Sequence, residues 1–408
     1  MRSLLFPIIV FDLAFLPMFH IFGLSYKPSY LIILFLIVAT KNSSELLFRG
    51  SSRNFITLFL ILAAVTFLGA ITYMTVYGNP QYAVSIRNII IYIMAPLAFW
   101  VGTRETRPTH NYLIVFLLAY AVVTLVLSVF YQELSAVTKF YQLEDEIASG
   151  VYSARSQGLF ENANISALFM TLLFMYFVIG IKYAFIRTRA ATFFLAIFST
   201  FVTISILQSR NQTVAALVVT VLFLVFLSRT VRLKRIILGV VISVAMVIII
   251  SGPLSASLGY DPVARLKNTF AMARDTSSSA HGLRRPIQAL DKATERWLAS
   301  PLFGTGFDSS GESPFEGTQY HNDWLFVWTS AGMIGLLVLT AIVLLLGRID
   351  LILIVPFAFP GMTNSFIFAP SHFLLLMLLA GLAWRRKTML SAKYLEPSVA
   401  TSNVSDPR

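Results

Sequence analysis

Long apolar runs separated by short polar connections cover most of this chain. Runs of about 15–20 apolar residues are long enough to cross the hydrocarbon core of a membrane as α-helices. We therefore predict an all-α polytopic membrane protein with about twelve transmembrane helices. The predicted spans are residues 4–23, 28–40, 55–77, 88–102, 112–131, 165–181, 190–207, 213–227, 236–251, 324–347, 351–368 and 373–384.

The connections between these spans alternate between basic and nearly uncharged. Basic loops resist translocation, so this alternation predicts that the basic connections and both termini lie in the cytoplasm. The basic connections fall within residues 41–53, 104–107, 182–189, 229–235 and 385–387. We read residues 1–384 as one transmembrane domain. Residues 385–408 then form a cytoplasmic tail that we expect to be disordered.

Two long segments fall on the other side of the membrane in this topology, at about residues 132–164 and 252–323. In the second, apolar residues recur every three or four positions between Asp261 and Ser300, which predicts short helices in a large periplasmic loop. The sequence 301–306 (Pro-Leu-Phe-Gly-Thr-Gly) ends that stretch with residues typical of turns. We see no internal repeat, which disfavours repeat-built transporters.

Composition narrows the class of protein further. With 57% hydrophobic and 12% charged residues, the chain does not fit a soluble protein of this length. The absence of cysteine excludes disulfides, thiolate metal sites and a cysteine nucleophile. The formal net charge of +12 is spread over the predicted cytoplasmic connections, so it reports topology and not nucleic-acid binding.

Four arginines and a histidine stand out on the predicted outer side. Arg155 precedes the entry to the sixth span, and Arg210 sits in a tight turn between two spans. The large loop carries the remaining three, Arg284, Arg285 and His321. Each position also has an interpretation that involves no substrate, such as lipid anchoring for Arg210 or a solvated helix start for His321. Together they suit one anionic substrate at the membrane boundary.

That set of side chains suits a lipid-linked diphosphate. Guanidinium groups hold phosphate oxygens with paired donors and keep their charge. A histidine of ordinary pKa can accept the proton of an attacking hydroxyl near neutral pH. We therefore expect transfer of a glycosyl group from a polyprenyl diphosphate to a sugar hydroxyl.

A divalent-metal site is the alternative chemistry. Glu144, Asp145 and Glu146 form an acidic run on the predicted outer side. Adjacent residues do not share a helix face, and a solvated loop explains the run more simply. The first outer loop, residues 24–28, has no acidic residue that could bind a metal. We predict a mechanism with no metal and no cofactor.

The ordered motifs resemble those of the O-antigen ligase and polymerase superfamily of bacterial envelope enzymes. The resemblance covers about residues 155–335. Its motifs, in chain order, are Arg155-x-x-Gly158 with Asn162-x-Asn164, Ser209-Arg210, Arg284/Arg285, Pro301-Leu-Phe-Gly304-x-Gly306, His321-Asn322 and Gly332-x-x-Gly335.

The resemblance implies an inverting glycosyltransferase of the GT-C kind that uses an undecaprenyl-diphosphate-linked glycan as donor. It implies that Arg210 and one of Arg284 and Arg285 bind the diphosphate and that His321 is the catalytic base. Arg155, Asn164 and Asn322 would contribute to substrate binding. Where the family commonly has an aromatic residue four positions after the loop arginine, this chain has Ala289, so both Arg284 and Arg285 remain candidates.

We expect a monomeric ligase in the bacterial inner membrane that joins the glycan to a lipid A-core acceptor on the periplasmic face. A polymerase that uses a second lipid-linked repeat unit as acceptor needs the same donor site. A non-enzymatic flippase or exporter is the alternative from another class. It predicts charges buried within several spans, whereas Asp12 is the main one that the sequence places there.

Overall fold

The computed structural model describes fourteen stretches of the chain. They are residues 2–16, 19–21, 24–38, 51–77, 82–105, 107, 109–129, 163–207, 209–227, 294, 297–298, 300–306, 323–358 and 370–395.

Helices make up nearly all of the described residues, as the hydrophobic pattern predicts. In chain order they are α1 (Arg2–Phe15), α2 (Pro28–Val38), α3 (Ser51–Tyr77), α4 (Tyr82–Arg104), α5 (Tyr112–Val129), α6 (Ala163–Lys182), α7 (Ala190–Ile206), α8 (Arg210–Leu227), α9 (Asp323–Ile349), α10 (Val355–Ala358) and α11 (Pro370–Leu395). A 3-10 helix (Leu351–Ile354) joins α9 to α10. Strands β1 (Phe19–Ile21) and β2 (Leu24–Tyr26) form one antiparallel hairpin.

Helices α6 and α11 form the centre of the bundle. Residues 166–179 of α6 and 371–383 of α11 are buried on every side. A helix that is apolar all round is stable only when other helices surround it. Helices α5, α7 and α8 pack around α6, while α4 packs along α11 and α3 packs against both α4 and α9.

The outward faces of the surrounding helices are apolar, which is typical of a surface in contact with lipid. Leu31, Phe35, Val115 and Leu337 are each more than 60% exposed. By length and composition, the helical stretches Arg53–Thr72, Asn164–Lys182 and Asp323–Ile349 could each cross a membrane, and five shorter apolar helices accompany them. These features support a membrane protein, while the predicted number of spans is not confirmed.

Three predicted spans differ from the structure. The span 4–23 is wrong beyond Phe15, because the chain there leaves the helix and turns back through the β1–β2 hairpin. The span 324–347 is interrupted at Gly332. The span 351–368 begins as a 3-10 helix, because the Asp350 side chain accepts a hydrogen bond from the backbone of Ile352 and fixes a tighter turn. The span 236–251 lies outside the described residues.

A buried lysine closes the end of α1. The Nζ atom of Lys27 lies 2.6–2.8 Å from three carbonyl oxygens of the last turn, those of Asp12, Leu13 and Leu16. The Asp12 carboxylate in turn accepts a hydrogen bond from the backbone of Ser29 at 2.8 Å. The intramembrane acid that the sequence shows in the first span is therefore part of a structural cap at a helix end.

We predict that Lys27→Met destabilises the protein strongly, whereas Lys387→Met does not. Both lysines donate to carbonyl oxygens at the end of a helix, but Lys27 is buried and Lys387 is exposed. Each buried carbonyl that loses its donor costs about 1–3 kcal/mol, while water replaces the exposed donor. Thermal unfolding of the two purified variants in detergent measures the difference. Equal unfolding midpoints would contradict the structural role of Lys27.

Candidate functional site

Basic side chains gather at one end of the bundle, which we call the basic end. It comprises the ends of α4, α6, α9 and α11 and the start of α5. Contacts hold these parts together: Lys182 pairs with Asp350 at 2.7 Å, and Arg385 Nη1 donates to the carbonyl of Thr103 at 2.9 Å. This arrangement agrees with the predicted grouping of the basic connections on one side.

Helices α6, α8 and α11 begin at the opposite end of the bundle, where α1 and α5 finish. There Tyr120 donates to the carbonyl of Ser166 at 3.0 Å, and a ring nitrogen of His372 lies 3.1 Å from the carbonyl of Ile165. Asn164, one of the predicted site residues, lies half-buried in the first turn of α6. These polar contacts tie the starts of α6 and α11 to α5 at this end of the bundle.

Arg210 is the first residue of α8, so it also lies at this opposite end. Along α8 it begins a stripe of exposed apolar residues spaced by three or four, namely Val214, Leu217, Val221 and Val225. A helix start favours anions, because its free amide groups and dipole present positive charge. The role of Arg210 at this helix start stays a prediction.

The buried face of α8 carries a polar pair that the sequence analysis missed. Gln212 is fully buried, and neither atom of its side-chain amide makes a hydrogen bond to a described residue. The same holds for the buried hydroxyl of Ser209, one helical turn earlier. A glutamine at the head of an otherwise apolar helix was the available signal in the sequence.

The other predicted site residues lie outside the part of the chain that the structure describes. These are Arg155, Arg284, Arg285, His321 and Asn322. The structure thus brings Asn164 and Arg210 to the same end of the bundle and leaves the remaining residues as predictions. His321 and Asn322 directly precede α9, so the position of that helix bears on them.

Helix α9 is broken at Gly332, and residues 301–306 fill the break. In an unbroken helix the amides of Met333 and Ile334 would donate to the carbonyls of Thr329 and Ser330. Instead they donate to the carbonyls of residues 301 and 302, at 2.9 and 3.3 Å. The two carbonyls released on the other side of the break accept from the amides of residues 305 and 306, both at 2.9 Å. We call this arrangement the Gly332 joint.

Glycine is required at the contacts of the Gly332 joint. Gly304, Gly306 and Gly332 all have φ between 63° and 73°, a conformation that disfavours other residues. A Cβ atom on Gly332 would also collide with the backbone of Leu302. On α3, a Cβ atom on Gly69 would lie 2.5 Å from the carbonyl oxygen of Ser330. The glycines in the two sequence motifs therefore serve one backbone contact.

The half of α9 before the break begins inside the bundle. Asp323 is fully buried and interacts electrostatically with Tyr92 of α4. Trp324 Nε1 donates to the carbonyl of Phe357 at 3.1 Å, and the Phe357 ring packs against Phe373 in an edge-to-face contact. Because α8 also packs against α10, helices α8 and α9 share a neighbour. The helix that follows His321 in the sequence thus begins inside the bundle.

No three His, Asp or Glu side chains come together as a metal site among the residues that the structure describes. The acidic run Glu144, Asp145 and Glu146 lies outside them. A metal-independent mechanism therefore stays a prediction.

Residues 193–340 match the family model described as O-antigen ligase. This match confirms the resemblance to the O-antigen ligase and polymerase superfamily. The matched segment contains Arg210, both loop arginines, His321 and the glycines of the Gly332 joint, but neither Arg155 nor Asn164. No curated protein matches the chain.

We predict that Gly332→Ala destabilises the protein, whereas Gly347→Ala leaves it nearly unchanged. Both glycines belong to α9, but a Cβ atom on Gly347 meets only the side chain of Ile354, at 3.3 Å. Positive φ alone costs a residue with a side chain about 1–3 kcal/mol, before any collision is counted. Thermal unfolding of both purified variants measures the difference. A Gly332→Ala midpoint equal to that of Gly347→Ala would show that the joint is not rigid.

Proposed function

We propose that this protein is an inverting, GT-C-type glycosyltransferase of the bacterial inner membrane. In this proposal it moves a polysaccharide from undecaprenyl diphosphate to a sugar hydroxyl of lipid A-core. The observation that carries the proposal is the family match over residues 193–340, which contains Arg210 at the head of a lipid-facing stripe.

The donor has an apolar chain that stays in the membrane and a diphosphate at its surface. Arg210 is the first residue of α8, and the exposed face of that helix carries apolar residues further along. In the proposal Arg210 and one of Arg284 and Arg285 bind the diphosphate, with Arg155 and Asn164 completing the donor site. Guanidinium groups there would stabilise the charge that gathers on the departing diphosphate.

The acceptor hydroxyl attacks the anomeric carbon of the donor sugar. In the proposal His321 accepts the proton of that hydroxyl while the bond between the anomeric carbon and the diphosphate oxygen breaks. The products are the glycosylated acceptor, undecaprenyl diphosphate and a protonated histidine, which releases its proton to solvent. A single displacement inverts the anomeric centre. Asn322 would hold the acceptor beside His321, and no metal or cofactor takes part.

The charge pattern sets the orientation in this proposal. The basic end faces the cytoplasm with both termini, and the opposite end, with Asn164 and Arg210, faces the periplasm. The site comes from one chain, so we expect a monomer. The family match fits a polymerase equally well, because a ligase and a polymerase share the donor site and differ in the acceptor.

We predict that Arg210→Lys lowers glycan transfer by about 10–100-fold, because lysine keeps the charge but loses the paired donors. Transfer is measured with purified protein, lipid-linked donor and lipid A-core acceptor. Arg189→Lys is the matched control, since Arg189 is exposed just before α7 at the basic end. It should transfer at the wild-type rate. Wild-type turnover of Arg210→Lys would remove Arg210 from the donor site.

A strain that lacks this protein separates the ligase from the polymerase. If the protein is a ligase, the strain loses polysaccharide on lipid A-core, while full-length polymer still accumulates on the lipid carrier. Analysis of the carrier-linked glycans by gel electrophoresis and mass spectrometry measures both. Accumulation of single repeat units on the carrier would instead identify a polymerase.

A further inference from the structure

Helices α4 and α11 pack backbone against backbone at the basic end. A Cβ atom on Gly102 would collide with the carbonyl oxygen of Leu378, and one on Gly381 would collide with that of Phe99. The two glycines therefore allow these helices to approach more closely than side chains would permit. The residues that come next along the chain after each contact are forced into the same small region.

This packing brings four arginines together. Arg104 and Arg107 come from the end of α4 and the connection after it, and Arg385 and Arg386 come from α11. Burial, and then repulsion by Arg385, lowers the pKa of both Arg104 and Arg386. Like charges that are held close together repel each other, and their removal from water adds to the free-energy cost of folding. A nearby anion would stabilise a cluster of this kind.

Among the residues that the structure describes, the carboxylates at the basic end offset little of the positive charge of the four arginines. Glu105 attracts Arg386, but its Oε1 atom accepts a hydrogen bond from the backbone of Arg107 at 2.8 Å. Asp350 is paired with Lys182 at 2.7 Å. Within the described part of the chain, one carboxylate therefore serves four guanidinium groups.

Several guanidinium donors in the cluster lack an acceptor among the described residues. The Nη1 atom of Arg385 donates to the carbonyl of Thr103. Its Nε atom, and the Nε and Nη2 atoms of Arg386, are buried and make no hydrogen bond within the described part of the chain. Buried charged donors are costly when they stay unsatisfied. Phosphate oxygens are acceptors that guanidinium donors bind well.

His110 lies beside the arginines without adding to their charge. Burial, with the nearby Arg386 and Arg107, lowers the pKa of His110 to about 3. Its Nδ1 atom lies 2.9 Å from the hydroxyl of Tyr112. The imidazole is therefore neutral at neutral pH, and the positive charge of the cluster comes from the arginines.

We propose that Arg104, Arg107, Arg385 and Arg386 form a site for the phosphate of an anionic lipid head group at the basic end. Arg104 ends α4, and Arg385 and Arg386 follow the fully buried stretch 371–383 of α11. The Arg104 guanidinium lies 5.3 Å from the ring of Trp100, and Trp384 packs against Phe99. Basic sites between membrane helices on the cytoplasmic side recognise such lipids.

The test compares lipid retention by the purified full-length protein in mixed micelles of phosphatidylglycerol and phosphatidylcholine. Native mass spectrometry counts the lipids that stay bound. We expect the wild type to retain phosphatidylglycerol in preference, and Arg386→Gln to lower that preference about tenfold. The preference of Arg386→Lys for phosphatidylglycerol should lie between that of the wild type and that of Arg386→Gln. Arg348→Gln is the matched control, because it removes one exposed charge from the same end and should change the preference less than about twofold.

Two further measurements keep the outcomes distinct. The unfolding midpoint of each variant without added lipid shows whether that variant is folded. If Arg386→Gln is not folded, the lipid preference of Arg386→Lys is compared with that of the wild type instead. Inorganic phosphate at millimolar concentration in micelles free of anionic lipid distinguishes a solute from a lipid. Stabilisation by phosphate equal to that by phosphatidylglycerol would overturn the lipid assignment. Equal retention of both lipids by the wild type would overturn the site.

Discussion

The exchange of four backbone hydrogen bonds at the Gly332 joint is the contact on which the rest of the structure depends. A break in a buried membrane helix releases two amides and two carbonyls, and each costs several kcal/mol if it stays unsatisfied in an apolar environment. Residues 301–306 satisfy all four groups. The break is therefore stable only together with this segment, which fixes the end of the large loop against α9.

The joint determines where the chain enters the bundle after the loop. The first half of α9 begins inside the bundle, where Asp323 is buried and Trp324 donates a hydrogen bond to the carbonyl of Phe357. The segment with His321 lies just before this half-helix. Helix α8, headed by Arg210, packs against the same short helix that receives Trp324. A rigid backbone contact thus supports the region in which we propose catalysis, while the basic end holds the opposite side of the bundle.

The sequence predicted helix positions and the grouping of charges better than it predicted interruptions. Hydrophobic periodicity reports burial, so α6 and α8 appear near their predicted positions. Periodicity carries no information on a helix that is interrupted and hydrogen-bonds to distant backbone. The sequence shows the glycine motif at Gly332 but does not predict the break there. The partner of Asp12 and the burial of Gln212 were also missed, because three-dimensional packing, and not spacing, decides what surrounds a buried polar group. Arg210 stands out in the sequence because a basic residue in a short outer turn departs from the charge pattern, and its role stays a prediction.

The central claim is that His321 activates the acceptor in a transfer reaction. Its most direct test is the rate of glycan transfer by His321→Ala in liposomes that contain donor and acceptor, with His281→Ala as the control from the same loop. Loss of a general base lowers the rate by about 10²–10⁴-fold. We expect that loss for His321→Ala at normal protein levels, and wild-type transfer for His281→Ala. Undiminished transfer by His321→Ala would contradict the account.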